Sequence, residues 1–182
     1  MLKAKIAVVA LLWVAWFFGH QVSAAAQTTP GIEQTFSASL TEVPKQPLSV
    51  TGSIYVPAYS SVSVVPGQLR ADFSVTLSIH NASKDKLLVL KRIGYFNTAG
   101  HLVESYLQQS IALRPFGAIE VFIPQKDVRA GTGANFIVDW GAVGEVAEPV
   151  VEALMIGSIG NGHYAFISQG RLIKVISPKL KD

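Results

Sequence analysis

An all-β domain, with two antiparallel sheets packed as an immunoglobulin-like sandwich, is the fold class this sequence predicts. Three observations carry that prediction. Residues 69–80 alternate apolar and polar without one exception. Short apolar runs recur from Leu48 onward, punctuated by turn-forming Asn, Gly and Pro. No stretch places apolar residues at the three-to-four spacing of an amphipathic helix.

The segments before this domain follow a different logic. Lys3 and Lys5 open the chain, an apolar run covers residues 6–19, and Ala24-Ala25-Ala26 follows a short polar break. A positive start, an apolar core and small residues at the end are the requirements of a cleavable signal peptide. Cleavage is expected after Ala26, with Ala24 as the alternative. The apolar run of about 14 residues falls short of the ~20 that cross a bilayer, so membrane contact is expected only during export. The destination is periplasmic or secreted. Residues 27–47, with Pro30, Gly31, Pro44 and Pro47, read as an extended N-terminal arm.

Removing Lys3 and Lys5 with no carboxylate leaves 13 basic against 12 acidic groups, a net charge of +1. A near-neutral domain has no global attraction for nucleic acid or an anionic membrane. Arg171, Lys174, Lys179 and Lys181 make only the tail basic, as a solvated end would be. The chain contains no cysteine, which excludes disulfides, a lipid-anchored cysteine and a blue-copper ligand set. The 156 remaining residues suffice for one unaided core.

Within residues 48–182 the strands can be taken in order. In 69–80, Leu69, Ala71, Phe73, Val75, Leu77 and Ile79 share one face, which places His80 on the wet one. A turn at 81–85 leads into a denser strand at 87–96. Asn97-Thr98-Ala99-Gly100 then turns the chain into 101–113. Residues 119–123 form a strand ended by Pro124, which cannot donate to a ladder. Phe136, Val138 and Trp140 share a face of 134–140, with Trp140 as core anchor and its indole N–H expected to find a partner. Residues 149–156 make a further strand, and 163–167 is expected to pair with 172–176 across Ser168-Gln169-Gly170-Arg171.

Several stretches resemble a family of exported bacterial proteins catalogued as a domain of unknown function. They are Tyr55-Val56-Pro57-Ala58-Tyr59-Ser60, Leu77-Ser78-Ile79-His80-Asn81, Gly131-Thr132-Gly133-Ala134-Asn135-Phe136-Ile137-Val138-Asp139-Trp140 and Glu148-Pro149-Val150-Val151-Glu152. The resemblance implies an extracytoplasmic β-protein and supplies no activity. Some relatives are lipid-anchored, and this chain departs from them in lacking the cysteine.

Candidate chemistry is sparse. His80, His101 and His163 stand isolated, without metal-ligand spacing, so no metal or other cofactor is expected. No G-x-S-x-G elbow occurs. Gly131 and Gly133 in 129–135 suit a tight strand entry better than a phosphate cradle, because a strand follows where a helix N-terminus would be needed. Asp139, with Glu148 or Glu152, could form a carboxylate pair for hydrolysis, and Trp140, Tyr55 and Tyr59 could stack on a sugar. Tyr55 and Tyr59 flank Pro57, which confines that strand to an edge or a bulge, where a partner strand could add. The leading expectation is a non-catalytic binding module for a protein or envelope ligand. Tyr55, Tyr59, Asn135, Asp139, Trp140, Glu148 and Glu152 are its candidate surface, and a small extracytoplasmic hydrolase is the alternative.

Overall fold

A computed structural model describes residues 31–177 of the chain. Residues 1–26, expected to be a signal peptide, and the tail lysines Lys179 and Lys181 lie outside the described residues. The described residues form twelve strands, of which those at Val50–Pro57, Leu69–His80, Ala118–Ile123 and Val150–Ile159 alternate between more and less buried positions. The cleanest is β4 (Leu69–His80), whose bounds coincide with the alternating run. Its apolar side chains are buried from Ala71 to Ile79, because a period-2 pattern can bury one face only.

One antiparallel sheet runs β1 (Leu40–Thr41), β7 (Ile111–Leu113), β5 (Leu88–Phe96), β9 (Asn135–Ala142), β2 (Val50–Pro57) and β12 (Arg171–Ile176), with β6 (Leu102–Ser105) also on β5. The other runs β11 (Gly162–Gln169), β10 (Val150–Ile159), β4 and β3 (Ser61–Val65), with β8 (Ala118–Ile123) also on β4. Their inner faces share one core, in which Tyr95, Phe136, Ile54, Leu77 and Met155 are fully buried. The expected 101–113 strand is broken into β6 and β7, which pair with different stretches of β5. This is a two-sheet antiparallel sandwich. Its seven-plus-five composition differs from the four-plus-three arrangement of an immunoglobulin constant domain.

The hairpin expected between 163–167 and 172–176 does not form. β11 instead pairs with β10 from Glu152↔Gln169 to Ile159↔Gly162. β12 pairs with β2 in the opposite sheet, from Arg171↔Tyr55 to Ile176↔Thr51. Gly170 is the hinge between them. Its N–H donates to the Val151 carbonyl at 2.8 Å. A Cβ there would lie 2.6 Å from Ile54 Cγ2 and 2.7 Å from the Val151 carbonyl oxygen. Only glycine can pass between β10 of one sheet and β2 of the other. The four-residue linker read as a turn is therefore extended chain, and the true tight turn is at Gly160, φ +58°, between β10 and β11.

The edge predicted from Pro57 is also relocated. β2 is interior, with β9 on one side and β12 on the other. Pro57 ends β2, beyond its last pairing with β12, so its missing N–H costs no bond on that side. The described part of the N-terminal arm is seated on the fold rather than extended from it. Ile32–Thr35 forms one helical turn, Leu40–Thr41 is β1, and Ile32, Phe36 and Leu40 pack on the core.

Gly170→Ala is expected to lower stability by about 1–3 kcal/mol, the range for overpacking a filled site. For a domain of this size that is a fall of several degrees in thermal midpoint. An unchanged melting curve would show that the hinge tolerates a side chain.

Candidate functional site

The seven-stranded sheet presents to solvent a row of side chains set by strand register. Lys174 of β12 lies opposite Ser53 of β2, Ser53 opposite Asp139 of β9, and Asp139 opposite Arg92 of β5. Four strands at the usual spacing make this row about 14 Å long. The Ser53 hydroxyl donates to Asp139 Oδ1 at 2.6 Å, and Arg92 Nε donates to Oδ2 at 2.7 Å. The guanidinium is also 5.9 Å from the Phe96 ring centroid, a cation–π contact that restrains it. Its terminal nitrogens have no hydrogen-bond partner among the described residues.

Two β-bulges shape the ends of this row. One lies between Leu90 and Arg92 on β5, leaving both Lys91 and Arg92 exposed. The other lies between Leu172 and Lys174 on β12. A bulge adds an unpaired residue and re-aims side chains. Lys91, Arg92 and Lys174 thereby gather with Thr51, Ser53 and Asp139 around a depression of about 420 Å³. Arg171, opposite Tyr55, adds a fourth cation to the same face. Among the described residues, Asp139 is the one carboxylate in ion-pairing range of any of the four. Tyr55 and Asn135 share this outer face, so three of the expected surface residues are brought together.

The others are not. Trp140 points to the opposite side of β9, into the core, with 3% of its surface exposed. Glu148 is near it, at the end of the sandwich. Glu152 lies on the outer face of the other sheet, opposite Ser78 and Gln169. Asp139 and Glu152 thus point away from each other across two sheets that pack ~10 Å apart. That is beyond the roughly 5–9.5 Å of a glycosidase pair. Tyr59 belongs to the β2–β3 corner, its ring 6.2 Å from that of Phe166, which stacks edge-on to Phe73. Sequence reasoning missed Ser53, Lys91 and Arg92, because only strand register unites them with Asp139. The alternation of β2 and the Lys-Arg doublet in an otherwise apolar strand were the available signals.

The Gly131–Gly133 loop has structural employment. Gly131 has φ +72°, a left-handed conformation that favours glycine. The Gly133 N–H donates to Thr98 Oγ1 at 2.8 Å, so that amide is not free for an anion. A larger groove, about 720 Å³, runs under Ile32 and Phe36, along Tyr106, Phe122 and Arg129. Arg129 is committed there to Asp127 at 2.7 Å and Glu104 at 2.8 Å. The Arg129 hydrogen bonds hold the Asp127 carboxyl below the usual carboxylate range, and burial pushes the Tyr106 phenol up. No group of three or more His, Asp or Glu side chains that could hold a metal occurs among the described residues.

Fold and surface together define a two-sheet β-sandwich domain with one polar, cation-rich sheet face. Residues 51–173 match the family described as "Protein of unknown function (DUF3124)", and the chain belongs to that family. The match runs from β2 through the first half of β12, so it includes the Gly170 hinge, Lys91, Arg92 and Asp139. No match is found among the curated proteins. Among solved structures, the chain is similar to one titled "Crystal Structure of Thermotoga maritima 1070", at 11% identity and a TM-score of 0.39. The alignment covers 66% of this chain and 92% of that one.

Asp139→Asn is expected to leave the fold intact and cost under about 1 kcal/mol, because the pair with Arg92 is half exposed. A loss of several kcal/mol in denaturant titration would mean that Asp139 holds the sheet together.

Proposed function

We propose that this protein is a non-catalytic binding module, exported to the periplasm or secreted, whose outer sheet face takes an anionic group of an envelope partner. The carrying observation is the imbalance of that face: Lys91, Arg92, Arg171 and Lys174 accompany a single carboxylate, Asp139, which Ser53 and Arg92 already occupy. An anion entering the depression meets ammonium groups, two guanidinium nitrogens and the hydroxyl of Thr51. Phosphate and carboxylate groups suit such donors. The location of the cations on one face lets a near-neutral domain attract an anion locally. Export is supported by the sequence of residues 1–26.

The hydrolase reading draws less support. Its proton donor and its base would need to face one cleft, and Asp139 faces away from both partners considered for it. No second carboxylate lines the depression.

Titration calorimetry with polyglutamate and with polyphosphate tests the anion site. Binding should weaken as salt rises. Lys91→Glu combined with Lys174→Glu should weaken it at least tenfold, which is ~1.4 kcal/mol. Binding that survives the double reversal would place the anion elsewhere, and no binding of either polymer would reject the reading. Export is tested separately: protein recovered outside the cytoplasm should begin at Gln27 by N-terminal sequencing. A chain that stays inside with Met1 intact would refute export without touching the anion site.

A further inference from the structure

The opposite side of the same sheet is unfinished. Leu172 and Val175 of β12 point inward, opposite Ile54 and Gly52, yet they are 38% and 48% exposed. With Val50, Val146, Trp140 and Ser177 they line a groove of about 240 Å³, which Glu145 and Glu148 also border. That volume is below the roughly 300–1,000 Å³ of small-molecule sites. It suits one apolar side chain and the backbone on either side of it.

The Trp140 indole supplies the second observation. Trp140 lies between Leu90 and Gly52 in register, and Val175 lies beyond Gly52. A Cβ at Gly52 would be 2.6–2.7 Å from indole Cε2, Cζ2 and Nε1, so the nitrogen-bearing edge of the ring lies over Gly52, on the β12 side. Nε1 is buried and has no hydrogen-bond partner among the described residues. The expectation that this N–H finds a partner is therefore not met among the described residues. A buried donor left unpaired is unfavourable, and an acceptor arriving with a ligand would relieve it.

Charge selects the ligand. Glu145 and Glu148 are exposed on the rim and make no ion pair among the described residues. An anionic lipid surface or polyanion would be repelled there, whereas ammonium or guanidinium groups would be attracted. Beside the groove, β12 ends its sheet and its second edge has no strand partner among the described residues. We infer that the groove binds a short extended peptide segment of a partner protein, in which one apolar side chain is flanked by Lys or Arg. The apolar side chain covers Leu172, Val175 and Val50. The flanking cations pair with Glu145 and Glu148, and a peptide carbonyl accepts the Trp140 N–H. This site is on the far side of β9 from the anion-binding face and does not depend on it.

The test uses the full chain with Trp13→Phe and Trp16→Phe, which leaves Trp140 as its single tryptophan. Blocked Lys-Leu-Lys peptide should produce a saturable change in its fluorescence. Blocked Gln-Leu-Gln should bind at least tenfold more weakly, and so should Lys-Leu-Lys to a Glu145→Lys, Glu148→Lys variant whose melting curve matches the parent. No saturable change, equal binding of the neutral peptide, or unchanged binding to the reversed rim would each overturn the inference. Binding seen only after deleting residues 178–182 would assign the groove to the chain's own Lys179-Leu180-Lys181 and overturn the partner reading. The Lys91 and Lys174 variants should leave the peptide signal unchanged, so the two sites fail independently.

Discussion

Gly170 is where the two sheets are tied by one continuous strand. β11 completes its ladder with β10, and one residue later the chain enters the other sheet beside β2. The crossing is possible because the residue between them has no side chain: Ile54 and the Val151 carbonyl occupy the space a Cβ would need. A second crossing, at Ala58–Ser60 between β2 and β3, is held by the Ala58 N–H on the Ala134 carbonyl and the Phe73 N–H on the Ser60 carbonyl. Sheets joined in this way cannot slide independently, because a shift in one ladder would drag the register of the other.

That constraint also places the surfaces. β12 can carry Lys174 and Arg171 to the outer face only because Gly170 delivers it to the edge beside β2. The same placement leaves Leu172 and Val175 facing inward yet partly exposed. One strand thus supplies cations to one side of the sheet and open apolar surface to the other. The bulge between Leu172 and Lys174, together with the two cations, makes β12 a poor template for uncontrolled edge pairing.

Trp140 and Asp139 illustrate how adjacent residues acquire unrelated roles. Side chains alternate across a strand, so Asp139 joins a polar row while Trp140 enters the core. Their neighbours come from β2: Ser53 opposite Asp139, Gly52 opposite Trp140. A hydroxyl and a missing side chain, consecutive in sequence, serve the two sides of the sheet.

Much of this was legible beforehand. The uninterrupted alternation of 69–80 determined β4, and turn residues marked the strand ends, because local backbone preferences and a two-residue period are written in the chain itself. The inward direction of Trp140 and the outward direction of Asp139 followed from the same period. Pairing was not written there. Residues 163–167 and 172–176 resemble a hairpin locally, and only the space between Ile54 and Val151 sends them to different sheets. Pro57 suggests an edge locally, and only the arrival of β12 makes β2 interior. Strand composition determined that this chain would form sheets with one wet and one dry face. Which strands became neighbours, and therefore which cations met Asp139 and which apolar side chains stayed uncovered, was decided by tertiary packing, since register couples residues up to 125 positions apart.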